Sequence, residues 1–286
     1  MRKTILTISL LLMATASARS QLVSFKLMGG LSWINGNDYN QGIAGENKYI
    51  KDNSSAMTGA YKELKNSMNI QAEIIVYANS HLAVGFGGGY YHLGNESTVM
   101  FQGVKSGLPF DSESIYKPSL SVIPLFVNIY YLTKLGAHVD FNIFAGPLFQ
   151  VVQYNFKNQS TMSLSALSQA LTYRSSSTTL GGQAGLGLNF NILPGIALAV
   201  EGCYRYGKIS NLVGNWAVIG NSSSGPINQS SAEYYFWAYH DTSGGGYPRT
   251  GFFDKNGPKG GSVSGARKAE INLSGITVSG GIKFGF

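Results

Sequence analysis

The sequence predicts an all-β chain: an eight-stranded antiparallel transmembrane β-barrel with short periplasmic turns and long extracellular loops. Three observations carry that expectation. The first is composition: 37 of the 286 residues are Gly, nearly twice the ordinary share of roughly 7%. Charged residues make up 12% of the chain, about half the usual roughly 25%. Gly weakens helix interiors and soluble helices need charged outer faces, so a helix-rich cytosolic enzyme is excluded. Disorder is excluded as well, because 44% of the residues are hydrophobic and only 8 are Pro. The second observation is two-residue alternation of apolar and polar side chains in eight places. The third is that the connections between those places alternate between tight turns and long polar stretches.

Taken in order, the N-terminus reads Arg2-Lys3, an apolar run from Ile5 to Met13, then Ala14-Thr15-Ala16-Ser17-Ala18. A short positive segment, a brief hydrophobic core and an A-x-A site predict a secretory signal peptide over 1–20, cleaved near Ala18. The run is too short for a spanning helix, which needs about twenty apolar residues. One barrel domain over 21–286 is expected to follow. Cys203 is the only cysteine, so there is no disulfide framework, and no cysteine at the cleavage site could carry a lipid anchor. The net charge of +7 includes Arg2, Lys3 and Arg19 of the leader. Without them 18 basic side chains stand against 14 acidic ones, and nothing points to nucleic acid.

The first strand is expected near 22–33, with Val23, Phe25, Leu27, Leu31 and Trp33 on one face and Ser24, Lys26, Met28 and Ser32 on the other. The second, about 69–78, sets Ile70, Ala72, Ile74 and Val76 against Asn69, Gln71 and Glu73. The third, 82–92, places Phe86 and Tyr90 opposite the small Gly85, Gly87 and Gly89. The fourth, 120–132, is apolar on both faces; Ile123, Leu125, Val127, Ile129 and Tyr131 share one side. The fifth, 138–153, alternates Phe141, Ile143 and Phe149 with Asp140, Asn142 and Gln150. The sixth, 180–192, alternates Leu186, Leu188 and Phe190 with Gln183, Gly187 and Asn189. The seventh, 196–206, sets Val200, Tyr204 and Tyr206 against Glu201, Cys203 and Arg205. The eighth, about 271–286, slips in phase between Leu273 and Ile276, which predicts a bulge near Ser274-Gly275.

Tight connections fall at 79–81, 133–137 and 193–195, and long ones at about 34–68, 93–119, 154–179 and 207–270. Structureless loops of that length are rare in a compact soluble domain. In an outer-membrane barrel, short periplasmic turns and long outside loops are the rule. Lipid offers backbone groups no partner, so a spanning sheet must close on itself. Strands of about nine to eleven residues tilted about 45° cross the hydrocarbon. The apolar face of each strand then meets lipid. Short helices are expected at 54–66 and 163–173, in the first and third outer loops.

The chain ends Gly280-Gly281-Ile282-Lys283-Phe284-Gly285-Phe286, on an aromatic in strand phase. Ile282, Phe284 and Phe286 resemble the terminal signal read by the bacterial outer-membrane assembly machinery. The stretches Ile123-Pro124-Leu125-Phe126-Val127-Asn128, Phe144-Ala145-Gly146-Pro147 and Val200-Glu201-Gly202-Cys203-Tyr204-Arg205-Tyr206-Gly207 are similar to stretches of small outer-membrane β-barrel ("porin family") proteins. That family comprises eight-stranded relatives of the OmpA and OmpX barrels. The resemblance covers the strands and little of the loops. It implies an outer-membrane location, contact with membrane lipid and assembly through the C-terminal strand, and it implies no single function.

The inward polar set contains Lys26, Arg205 and Lys283 against Glu73, Asp140 and Glu201. Eight strands leave an interior just wide enough for side chains to fill, and buried charges there must pair. These six are expected to form a lumen network in a non-enzymatic, structural or surface-interacting monomer. A narrow channel for small or hydrophobic solutes is the alternative. A lipid-modifying enzyme of the outer leaflet is the third reading, with His92 or His240 as a general base, for example beside Ser97 and Glu96. The run Tyr234-Tyr235-Phe236-Trp237-Ala238-Tyr239-His240 is a candidate binding surface for a sugar or protein. Its rival reading is a loop folded back over the barrel, or a strand extended beyond the membrane. Metal-ligand spacing is absent, Gly87-Gly88-Gly89 and Gly244-Gly245-Gly246 lack the context of a phosphate loop, and no cofactor is expected.

Overall fold

The computed structural model describes residues 23–105, 108–163, 167–242 and 246–286. The expected signal peptide, Gly244 and Gly245 of the second glycine run, and residues 164–166 of the expected second loop helix lie outside them. Strand β1 (Val23–Ile34) leads into helix α1 (Asp38–Asn53) and the short β2 (Ala56–Thr58). Next come β3 (Asn66–Tyr77), β4 (Leu82–Gly94) and β5 (Ser97–Lys105). Three long strands follow, β6 (Leu108–Lys134), β7 (Val139–Met162) and β8 (Leu167–Leu193). After β9 (Ile196–Tyr206) come β10 (Lys208–Ile209), β11 (Val213–Ser222), β12 (Gly225–Asp241) and β13 (Tyr247–Phe253). The chain finishes with β14 (Val263–Lys268), β15 (Ile271–Asn272) and β16 (Gly275–Gly285).

All pairings are antiparallel, and one path through them is circular. β1 pairs with β3, β3 with β4, β4 with β6 and β6 with β7. β7 pairs with β8, β8 with β9, β9 with β16, and β16 returns to β1. The three stretches with a family resemblance lie on β6, β7 and β9 of this ring. The ring is inside out relative to a soluble barrel. Leu27, Ile74, Leu125, Ile143 and Val200 point outward and are about half exposed, whereas Lys26, Glu73, Asn128, Gln150 and Glu201 are buried inside. Trp33, Tyr90, Tyr204 and Tyr206 are exposed toward the long-loop end, and Phe25, Tyr131, Phe190 and Phe286 toward the short-turn end. An apolar exterior band flanked by aromatics around a polar interior is the build of a bacterial outer-membrane barrel. Among the described residues no helix is long and apolar enough to cross a membrane.

The outer connections depart from expectation. Among the described residues they hold eight strands of their own, besides the eight that alternation marks, and little of them is structureless loop. β6, β7 and β8 run on past the apolar band, where β5 pairs with β6 and β11 with β8. β12 then pairs with β11, β13 and β14. The short helices expected at 54–66 and 163–173 do not form in the described residues: 56–58 is strand β2, and β8 starts at Leu167. The helix lies earlier, at α1. At the expected bulge the strand divides instead, because β15 pairs with β10 while β16 pairs with β1 and β9.

Candidate functional site

Register brings Lys26 on β1 directly opposite Glu73 on β3, both facing inward. Their side chains meet at 2.7 Å, and Lys26 Nζ also donates to Glu201 Oε1 at 2.7 Å. Tyr130 of β6 completes the centre: its hydroxyl lies 2.8 Å from Lys26 Nζ and donates to Glu73 Oε2 at 2.7 Å. Asn128 Nδ2 donates to Glu73 Oε1 at 3.1 Å, and Gln183 Nε2 to Asn128 Oδ1 at 2.9 Å. All six side chains are almost fully buried. Burying a charge is tolerable only where it is paired and hydrogen-bonded, and Lys26 and Glu73, at the heart of the centre, each have at least two partners.

Of the six charges expected to form one network, three meet and three stand apart from them. Lys26, Glu73 and Glu201 make the centre. Arg205 lies in a second tier, where Nη2 donates to Gln71 Oε1 at 2.7 Å and the guanidinium stands 5.9 Å from the Tyr91 ring centre. Gln150 Nε2 donates to the Tyr91 hydroxyl there at 3.1 Å. Asp140 lies near the short-turn rim, and Lys283, directly opposite Lys26 across the β1–β16 pair, stays outside the centre's ion pairs. Asp140 accepts from Asn191 Nδ2 at 3.1 Å, and Lys283 Nζ sits 5.6 Å from the Tyr77 ring centre. Charge alone marked six positions; the uncharged partners Tyr130, Asn128, Gln183, Gln71 and Tyr91 share the inward phase of their strands, and that phase was their only signal. A small cavity beside the centre, lined in part by Asn142, Asn189 and Lys283, has room for about one water molecule. The side-chain oxygens of Asn142 and Asn189 have no protein partner.

Toward the long-loop end the lumen filling becomes apolar. Leu93, Leu120, Val152, Tyr154 and Tyr173 are fully buried and pack with Ile43, Phe156 and Phe236 into one core. α1 contributes Tyr39, Ile43 and Ile50 to it, and the Tyr39 ring meets the Tyr154 ring edge-on at 6.3 Å. The helix lacks a side-chain N-cap and is held by tertiary contacts instead. Asn40 donates to the carbonyls of Asn35 and Leu64 and accepts from the Leu64 amide. Asp38 receives Arg267 through two 2.6 Å bonds, Glu46 receives Arg249 at 2.8 Å, and Asp52 accepts from the Tyr247 hydroxyl at 2.7 Å. Gly45 permits the close approach, since a Cβ there would overlap the Pro248 carbonyl oxygen. Burial pushes the Glu46 carboxyl up; Arg249 opposes that shift and Asp241 adds to it. Burial likewise raises the Tyr173 hydroxyl to about 12.

The aromatic run in the fourth outer loop is not one exposed patch. It forms part of β12, so alternate side chains point to opposite faces. Phe236 is 2% exposed in the core, and Tyr234 stacks on Trp216 at 4.9 Å. Tyr235 lies under Lys268, Trp237 Nε1 donates to the Asp254 carbonyl, and Tyr239 meets Phe253 edge-on. Of the histidines, His92 is exposed and its Nδ1 lies 3.0 Å from Ser121 Oγ, not beside Ser97. Among the described residues no carboxylate lies within 4.0 Å of its ring. No group of three or more metal-ligating side chains occurs among the described residues.

No protein-family model matches the chain, and no curated protein matches it. Among solved structures, it is similar to the outer membrane protein OprG from Pseudomonas aeruginosa, with 9% identity and a TM-score of 0.37. That match covers 93% of this chain and 97% of the other. It is also similar to a major outer membrane protein from Thermus thermophilus, with 12% identity and a TM-score of 0.34. There the match covers 92% of this chain and 99% of the other.

Proposed function

We propose that the chain is a non-enzymatic, non-conducting outer-membrane barrel whose task is to carry a folded β-rich surface outside the cell. In this reading the eight strands of the closed ring cross the membrane, the leader has been removed, and the protein acts as a monomer. The three short turns and both chain ends face the periplasm. Ile282, Phe284 and Phe286 form the strand that the assembly machinery recognises; β16 closes the ring against β1, with Phe284 opposite Phe25.

The observation that carries the reading is the double obstruction of the lumen. The Lys26–Glu73–Glu201–Tyr130 centre joins walls three strands apart, and above it the apolar core and α1 fill the mouth. An ion would have to displace a paired buried charge and then cross an apolar layer. The outer elements also form a packed structure, which suits a surface that presents a fixed shape. Planar-bilayer recording tests the claim. The purified barrel should insert without steady conductance steps; reproducible steps in the unmodified protein would establish the narrow-channel reading instead. Unaltered membrane lipid in cells that overproduce the protein is the matching result for the absence of enzymatic activity.

A further inference from the structure

On the outward faces of β6, β7 and β8 the side chains change character rung by rung. The last apolar rung pairs Ile123 with Val151. Two residues further out stand Gln153 and Ser176, then Asn155 beside Arg174, then Lys157 between Lys117 and Thr172. These strands are 27, 24 and 27 residues long and stay paired well beyond the apolar band. They form a wall beside which the outer lipid headgroups must lie. At about 3.4 Å per residue and a tilt of about 40°, Arg174 stands roughly 10 Å and Lys157 roughly 15 Å above the last apolar rung.

The charges on this wall are not balanced within the protein. Lys117 and Lys157 are directly opposite each other and Arg174 is diagonal to Lys157, an arrangement that cross-strand pairing disfavours. Lys117 is offset by Glu96 at 2.9 Å. Among the described residues no carboxylate lies within 4.0 Å of Lys157 or Arg174, and both are exposed. A guanidinium offers a planar fork that fits phosphate, and an ammonium adds a point charge. Asn155 beside Arg174, and Gln153 and Ser176 on the rung below, carry amides and a hydroxyl, which suit sugar hydroxyls. A phospholipid phosphate would lie at the edge of the hydrocarbon, one or two rungs below these cations.

We propose that this wall binds the phosphorylated sugar headgroup of an outer-leaflet glycolipid. Arg174 and Lys157 hold its phosphate, and Gln153, Asn155 and Ser176 bond its sugar. The proposal rests on the outer-membrane reading above. Its test is native mass spectrometry of the folded, detergent-solubilised protein with diphosphoryl lipid A, monophosphoryl lipid A or phosphatidylglycerol. Wild type should retain both lipid A forms, each with a phosphate on a sugar, about tenfold better than phosphatidylglycerol, and Lys157→Gln/Arg174→Gln should lose that preference. Lys255→Gln/Lys259→Gln, a change of equal charge elsewhere on the outer surface, should keep it. Unchanged retention by the first variant, or equal retention of phosphatidylglycerol, overturns the proposal. The heat-dependent gel shift of a folded barrel, read on every sample, separates the two levels. Wild type that never folds into vesicles defeats the barrel reading and this proposal with it; folded protein without the preference defeats only the proposal.

Discussion

Lys26 on β1 and Tyr130 on β6 meet at 2.8 Å inside the barrel, although 104 residues separate them in the chain and three strand steps separate them around the ring. The contact spans the lumen between strands that are not neighbours, so it depends on the register of the β1–β3, β3–β4 and β4–β6 pairs. Lys26 also stands between two carboxylates, and the two roles are coupled. Whatever holds its ammonium at Tyr130 also neutralises Glu73 and Glu201.

Replacing Lys26 therefore tests the centre directly. Lys26→Met leaves Glu73 and Glu201, 3% and 5% exposed, without their cation. Removing one partner of a buried pair costs about 3–5 kcal/mol, whereas replacing the whole set with apolar or neutral groups is often close to neutral. Urea unfolding from lipid vesicles should show that loss for the single variant. Lys26→Met/Glu73→Gln/Glu201→Gln should recover most of it. A single variant as stable as wild type would mean that the carboxylates do not depend on Lys26.

The same centre explains one glycine. A Cβ on Gly85 would overlap Glu73 Oε1 and stand 2.8 Å from Tyr130 Cε2, and Glu73 cannot swing aside without breaking its bonds to Lys26, Tyr130 and Asn128. Gly85→Ala should cost about 1–3 kcal/mol, the usual range for overpacking. Gly202, with nothing within 4 Å of its added Cβ, is the control. Gly202→Ala should stay within about 0.5 kcal/mol of wild type in the same unfolding assay.

Alternation showed which face each ring residue occupies because strand period ties sequence parity to side-chain direction. The run 196–206 matches β9 at both ends. Parity does not give height along the barrel axis. Height is set by register, which places Lys26 opposite Glu73 and Arg205 opposite Gln183, and so the six charges looked like one group. The outer elements were hidden by composition. Ser- and Asn-rich stretches read as loop, yet the inward phase of Tyr154 and Phe156, and of Tyr173 and Ser175, continues the strand period. α1 contains Gly42 and Gly45 and no cap, so local propensity argued against a helix that tertiary contacts make.

Those contacts predict a local effect. Asp38 is 3% exposed and accepts three hydrogen bonds, two from Arg267 and one from the Glu270 amide. Arg267→Ala leaves that buried carboxylate with one donor. Because the guanidinium is itself more than half exposed, water replaces part of what is lost. We expect about 1–2 kcal/mol, confined to α1. Hydrogen exchange should speed up at residues 38–53 while amides of β7 and β8 keep their protection. Uniform loss across the barrel would show that α1 is not a separable cap.

Glu46 makes the attachment of α1 depend on pH. Its folded value is raised, chiefly by burial, above the roughly 4.3 of an unfolded chain. The folded state then binds the proton more tightly than the unfolded state does. The stabilisation from this group is fully present below about pH 4 and is lost as pH rises through the folded value. Loss of the Glu46 charge at low pH does not strand Arg249, which keeps Asp241 at 3.4 Å and the Tyr49 ring at 4.0 Å. Hydrogen exchange of residues 38–53, corrected for the intrinsic pH dependence of exchange, should therefore show protection falling from about pH 4 upward through the raised value. Glu46→Gln, neutral throughout, should flatten that slope and leave protection at neutral pH equal to wild type or higher. Protection that instead falls on acidification in wild type, and does so less in the variant, would mean that the ion pair with Arg249 outweighs burial.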